Sequence, residues 1–531
     1  MMMVQEAIDA AMPENQVGGL AGHGCRDHLV AVTSLMKINE SMGKPTIITL
    51  IDVSSMFDKV VLNDALYDAV SAGADSKAVF MLGKYSEKSI IKIRNDPDSE
   101  RSRIVHKTLG QGTNFAPKII SLSMGIAIDN CIPIQNMDRV GVVEVPPRSY
   151  IDDVSILNAN VAAARENGVK VGRALEILSL RANPKKSSII VTGGKKEVAK
   201  MMRNELTNDP VKIHGQSIGV SEVDPYLGVF IHQDGIKESI NHSVKMRINK
   251  AWGRAAQIKN LINAPAMKTF GWMRGAIVLI QATIPPILAY GSECYLASPQ
   301  YVIKNIELAF KQIIYSILEL GEKTKTSSVL LEMGFLRMKH YIAKLQLSYL
   351  SQVVWDMRGT IVHAAVMEEF RSKTNSSLAA ADTLALSYGL KKVSEAAIDK
   401  VILKKVVREK HDMEVWWDCF SSPIISVRPY LGLITKGHFG WDKMKAKAML
   451  AVRTGSLKFK NAWRMYNNKR GLGVRCINRL CDGIDEMKHA QVCKFYYTKW
   501  SDKFLESEDQ MAEYVLKLNR ERLQRFRMPI L

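Results

Sequence analysis

Two short apolar runs about a hundred residues apart end in carboxylates, and no other feature constrains the chain as much. Thr46-Ile47-Ile48-Thr49-Leu50-Ile51 reads as a buried strand from whose end Asp52 emerges, followed by Val53-Ser54-Ser55-Met56-Phe57-Asp58. Ser149-Tyr150-Ile151 and Val154-Ser155-Ile156-Leu157 read as the arms of a hairpin with Asp152-Asp153 at its tip. A carboxylate at the end of such a run is costly unless it is exposed or paired with a cation. If the hairpin lies beside the first strand, three acids converge into the all-oxygen environment that a hard cation such as Mg²⁺ prefers. Taken singly, either motif is equally what an ordinary Asp-Asp turn or an N-capping Asp52 would give.

The order of the other motifs along the chain separates these readings. Gln111-Gly112-Thr113-Asn114-Phe115-Ala116-Pro117 precedes a helical stretch, Lys118 to Asn130. Asn183-Pro184-Lys185-Lys186 precedes a strand, Ser188 to Val191, and Tyr226-Leu227-Gly228 comes next. Upstream stand Asn15-Gln16-Val17-Gly18-Gly19 and Arg26-Asp27-His28-Leu29. With these motifs in this order the chain resembles the reverse transcriptases, most closely those of non-LTR (LINE-type) retrotransposons. The resemblance covers about residues 13 to 500. The ordered set is specific, although no single member is.

The resemblance implies roles for individual residues. Asp52 and Asp152 would be the main ligands of two Mg²⁺ ions, with Asp153 assisting. Phe57 would lie under the sugar of the incoming nucleotide and disfavour a 2′-hydroxyl. Gln111 and Gly112 would line the nucleotide pocket. Lys186 would approach the triphosphate, and Tyr226, Leu227 and Gly228 would grip the primer end. Thr108, Ala116 and Met56 depart from the residues usual in the family, and none of them replaces a metal ligand.

Composition is compatible with a nucleic-acid enzyme. Net charge is +20 over 531 residues, enough chain for several domains, and a 47% hydrophobic content argues against global disorder. The run Ala276 to Tyr290 is short for a membrane span and contains Pro285-Pro286, so a buried helical segment is expected there and no membrane partner. Residues 421–480 hold thirteen Lys/Arg and one acid, Asp442, interleaved with aromatics such as Trp441, Phe459 and Trp463. Such a stretch can neutralise phosphates and stack on unpaired bases, or it can be a solvated helical face over an aromatic core. Just beyond, Cys476, Cys481, His489 and Cys493 have a spacing that can close a tetrahedral zinc site, the other reading being reduced structural cysteines. This segment resembles the C-terminal Cys-Cys-His-Cys segment of LINE-type proteins, with a longer first gap and a shorter last one.

The expected architecture is α+β, a right-hand polymerase followed by a mostly helical region. Its parts are partial fingers at 1–45, a palm at 46–235, a helical thumb at 236–333, a basic helical region at 334–470, a zinc-knuckle-like segment at 471–500 and a charged helical tail at 501–531. The implied function is RNA-directed DNA polymerisation on a template RNA from a DNA primer with dNTPs, in the nucleus and cytoplasm. The chain is expected to be the C-terminal part of a longer element-encoded protein. The alternative is a catalytically silent, truncated retroelement remnant that only binds nucleic acid.

Overall fold

In the computed structural model, residues 2–420 are described apart from short stretches, the longest being 93–101, 107–115 and 265–271. The residues expected to form the nucleotide pocket (Gln111, Gly112), the basic stretch 421–480, the Cys-Cys-His-Cys segment and the tail lie outside the described residues. The architecture is mixed, with far more helix than strand.

Residues Met1–Ser243, Gly291–Ser298 and Leu345–Ile398 form one compact unit. It opens with α1 (Met2–Ala11) and α2 (Cys25–Ser41), then β1 (Thr46–Asp52), α3 (Met56–Lys59), α4 (Leu62–Ser71) and α5 (Ser76–Ser86). A ribbon of β2 (Lys88–Lys92) and β3 (Ser102–His106) leads to α6 (Ala116–Cys131) and a second small ribbon, β4 (Arg139–Val140) with β5 (Val143–Glu144). Then come β6 (Arg148–Tyr150), β7 (Asp153–Asn158), α7 (Val161–Ile177), β8 (Ser188–Thr192) and α8 (Lys196–Asn208). The ribbon β9 (Lys212–Ile213) with β10 (Gln216–Ser217), the edge strand β11 (Gly219–Val220) and the hairpin β12 (Val223–Tyr226) with β13 (Val229–His232) complete the strands.

One five-stranded sheet, in the order β11-β8-β1-β7-β6, organises this unit. β1 is antiparallel to both neighbours, pairing Ile48 with Leu157 of β7 and with Ile190 of β8. Its β-branched run is buried throughout, as a central strand covered on both faces requires. Ile47 and Ile51 join a large cluster with Ile119, Ile120 and Leu122 of α6 and Val171 and Leu175 of α7. Ile48 and Leu50, offset by one residue, point to the opposite face. α6 begins two residues before the expected Lys118, because Pro117 fits the first turn of a helix, where its missing N–H is not needed. The expected helix over Ile240 to Ile262 is present as α9 (Ile236–Ile262), burying Ala251, Ala255, Ile258 and Ile262 at helical spacing.

The second unit comprises Val244–Tyr290, Pro299–Lys344 and the residues from Asp399 on. Within it the helix Trp272–Ala289 carries Pro285 and Pro286 and buries Ala276, Ile280, Ile284 and Leu288 along one stripe. The apolar stretch is longer than the sequence run suggests: Gly275–Cys294 is long and apolar enough to cross a membrane by length and composition, and half of it is buried inside the protein. Elsewhere in this unit, the rings of His340 and His411 stack at 5.5 Å and 12°. His340 Nε2 donates to Glu414 at 3.0 Å and His411 Nε2 to the Phe335 carbonyl at 2.9 Å. Burial holds His340 down at about 4, against the opposing pull of Glu414, and His411 at about 3, with His340, Arg408 and Arg337 adding repulsion. Both folded values lie below the ordinary 6.5, so the unfolded chain takes up more protons between about pH 6.5 and 3. The stability from keeping the pair neutral is therefore complete above pH 6.5 and is lost as the pH falls towards 4 and 3. Thermal melts monitored by circular dichroism should show the melting temperature dropping between pH 7.5 and 5, and a His411→Gln variant should show a shallower drop.

Candidate active site

Asp52 is the last residue of β1 and faces Asp153, the first residue of β7, directly across the antiparallel pair. Asp153 also pairs with Tyr150, so β6 and β7 are joined by a two-residue loop, Ile151-Asp152. The hairpin tip is thus one residue earlier than the expected Asp152-Asp153: Asp153 is inside the ladder and Asp152 alone is exposed at the loop. Ile151 holds a left-handed backbone at φ 60°. For a β-branched residue this conformation costs about 1–3 kcal/mol, and it persists only where neighbours enforce it.

The backbone of Asp52 is fixed on both sides by the loop that carries Lys186. Its N–H donates to Ser187 Oγ at 3.1 Å, and its carbonyl accepts from Asn183 N at 2.8 Å. Asn183 in turn organises the loop. Its carbonyl accepts from Lys186 N, Ser187 N and Ser187 Oγ, and its side chain accepts from Lys185 N. The Asn-x2-Lys spacing therefore places an exposed lysine beside the strand end.

These residues line a cleft of about 410 Å³, with Asp52, Asp153 and Lys186 joined by Asp224, Leu227 and Gly228. Asp224, on β12, is an addition to the expected set; as a single acid before Pro225 it has no motif to mark it. Burial, then repulsion from Asp152 and Asp52, pushes the Asp153 carboxyl up to about 6. Asp152, exposed at the loop but partly shielded from water on the side facing the other acids, is likewise raised, chiefly by that partial burial and further by Asp52, against one backbone hydrogen bond. Two carboxyls that resist ionisation beside a third, Asp52, suit a divalent cation, which would remove the repulsion. Among the described residues, no three or more His, Cys, Asp or Glu side chains are already gathered as a metal cage.

Tyr226 borders the same cleft as the other two members of its motif, but it is almost wholly buried. Leu227 (φ 45°) and Gly228 (φ 76°) form the turn between β12 and β13 at the cleft. The Tyr226 ring is buried, and its hydroxyl accepts from Ser155 Oγ at 2.8 Å and lies 3.2 Å from His28 Nδ1. Burial, with repulsion from Arg148 and His23, keeps His28 neutral, its pKa well below the ordinary value. The hydroxyl can then donate onward to His28, tying the turn to β7 two residues beyond Asp153. Phe57 is the second residue of α3, and its side chain is not among those described.

Tyr226→Phe would leave His28 Nδ1 without this partner and the buried Ser155 hydroxyl with only its long 3.5 Å contact to the Arg148 carbonyl. A loss of about 1–3 kcal/mol of stability is expected, measured by denaturant unfolding.

Residues 1–229 match a family model described as reverse transcriptase (RNA-dependent DNA polymerase). No curated protein matches the chain. The matched stretch, under half of the chain, contains Asp52, Asp152, Asp153, Lys186 and the Tyr226-Leu227-Gly228 turn, and it is similar to reverse transcriptases, a family of RNA-directed DNA polymerases that act on RNA, DNA and dNTP substrates and generally use Mg²⁺.

Proposed function

We propose that the protein is the RNA-directed DNA polymerase of a non-LTR, LINE-type retrotransposon, transferring nucleotides from dNTPs to a primer 3′-hydroxyl on an RNA template. The observation that carries this reading is the cross-strand pair Asp52 and Asp153, with Asp152 at the adjoining loop and Lys186 on the same cleft. Asp52 and Asp152, assisted by Asp153, would hold two Mg²⁺ ions. Bound there, they would lower the pKa of the primer hydroxyl and neutralise charge on the triphosphate and the departing pyrophosphate. The chain's own residues do no covalent work. The carboxylates set where the reacting groups lie, Lys186 offers a cation to the triphosphate, and Leu227 and Gly228 present a turn against which the primer end would rest. Phe57, Gln111 and Gly112 would shape the nucleotide pocket.

The same reading assigns the other parts of the chain. The palm would be 46–235, residues 1–45 would belong to the fingers and 236–333 would be the thumb, with the helices of the thumb holding the template–primer duplex. The basic stretch 421–480 would add phosphate contacts, and Cys476, Cys481, His489 and Cys493 would bind one structural Zn²⁺. The protein would act in the nucleus and cytoplasm.

Primer extension on an RNA template with Mg²⁺ and dNTPs tests the central claim. The wild-type chain should incorporate, and Asp152→Asn/Asp153→Asn should abolish incorporation. Lys186→Ala should lower turnover by about 10²-fold, the scale of removing one charge-stabilising group. Salt-sensitive RNA binding without incorporation by the wild type would instead identify a silent remnant. Elemental analysis of purified protein should find one zinc per chain, lost in Cys481→Ser.

A further inference from the structure

The side-chain amide of Gln16 is completely buried, and its contacts converge on the loop that carries Asp152. Its Nε2 donates to Ser149 Oγ at 3.0 Å. Its Oε1 accepts from the Ile151 N–H at 3.2 Å and from the Gly18 N–H at 3.1 Å. A parallel backbone bridge also joins Gln16 to Ser149. Gly18 completes the arrangement: a Cβ there would lie 2.7 Å from Ile151 Cγ1 and 3.0 Å from Ile151 N, so a larger residue would displace Ile151.

Ile151 is the residue that needs such support. It is β-branched, it holds φ 60°, and it immediately precedes Asp152 and Asp153. A two-residue loop closed on an isoleucine has no glycine to relieve it, and a neighbour that both accepts from its N–H and holds Ser149 removes the conformational choice. We propose that Gln16 is a positioning residue, which locks Ile151 in the left-handed conformation and thereby fixes where Asp152 and Asp153 present their carboxylates. The inference rests on the polymerase reading for its catalytic consequence, but its structural core can be measured without catalysis.

Hydrogen exchange and steady-state primer extension, run on the full chain, test it together. In Gln16→Leu, the segment 149–153 should exchange about tenfold faster or more while β8 keeps its protection, the pattern of a local opening. Turnover should fall about 10²-fold with KM for dNTP changed less than about threefold, as expected when reacting groups are misplaced and substrate binding is kept. In an Ile151→Gly background, where positive φ carries no steric penalty, the same Gln16 replacement should cost less than about tenfold. Should Gln16→Leu fail to fold, Ser149→Ala removes one hydroxyl only and should give the same local acceleration and a smaller loss of turnover. Unchanged exchange at 149–153, faster exchange across the whole sheet, or an equal loss in both backgrounds would each overturn the assignment. A wild-type chain that incorporates no dNTP would overturn the polymerase reading instead, leaving the exchange result to judge Gln16.

Discussion

β1 is covered on both faces, and that double burial fixes where the rest of the site lies. Ile47 and Ile51 belong to the cluster with α6 and α7, so a slip of one residue against β7 or β8 would turn both out of it. The register that saves the core is the register that places Asp52 opposite Asp153. Apolar packing therefore determines the spacing of two acids that repel each other. The clamp from Ser187 and Asn183 acts on the same residue from its other edge and brings Lys186 along.

The cleft shows what this packing has to tolerate. Asp153 is raised to about 6 by burial and by its two acidic neighbours, so ionising the site works against the fold that assembles it. Ile151 adds backbone strain at the same loop. Both penalties sit within a few residues, and both are held in place by groups distant in sequence: Gln16 is 133 residues from Ser149, and Tyr226 is 71 from Ser155. Such concentration of unfavourable local chemistry on a rigid sheet is how functional sites are generally built.

Much of this is legible in the sequence, for identifiable reasons. The strand-end acids, the strand ending at Thr192, the helix beginning near Lys118 and the long helix ending at Ile262 all arise from short-range patterns of apolar and β-branched residues. The hairpin tip lies one residue from where alternation alone puts it, because alternation does not reveal that Tyr150 pairs with Asp153. Asp224 has no motif to mark it, and Gln16, although its block stands out in the sequence, gives no sign there of its clamp: each contact depends on which distant segment packs against the residue. Tyr226 reads as one unit with Leu227 and Gly228, whereas the strand sends its ring into the interior and leaves the next two residues at the turn. Phe57, Gln111, Gly112 and the Cys-Cys-His-Cys segment rest on their motifs, since the described residues do not include their side chains.

The buried link from Ser155 to Tyr226 has a mechanical meaning. It references the β12–β13 turn to the strand bearing Asp153 through bonds shielded from solvent, so those two features behave as marks on one ruler. On the proposed polymerase reading, the substrate advances by one nucleotide per cycle past a reactive centre that stays put. On that reading, a ruler sealed in the core would leave the stepping to the nucleic acid sliding across the cleft, while the frame against which each step is measured would not move with it.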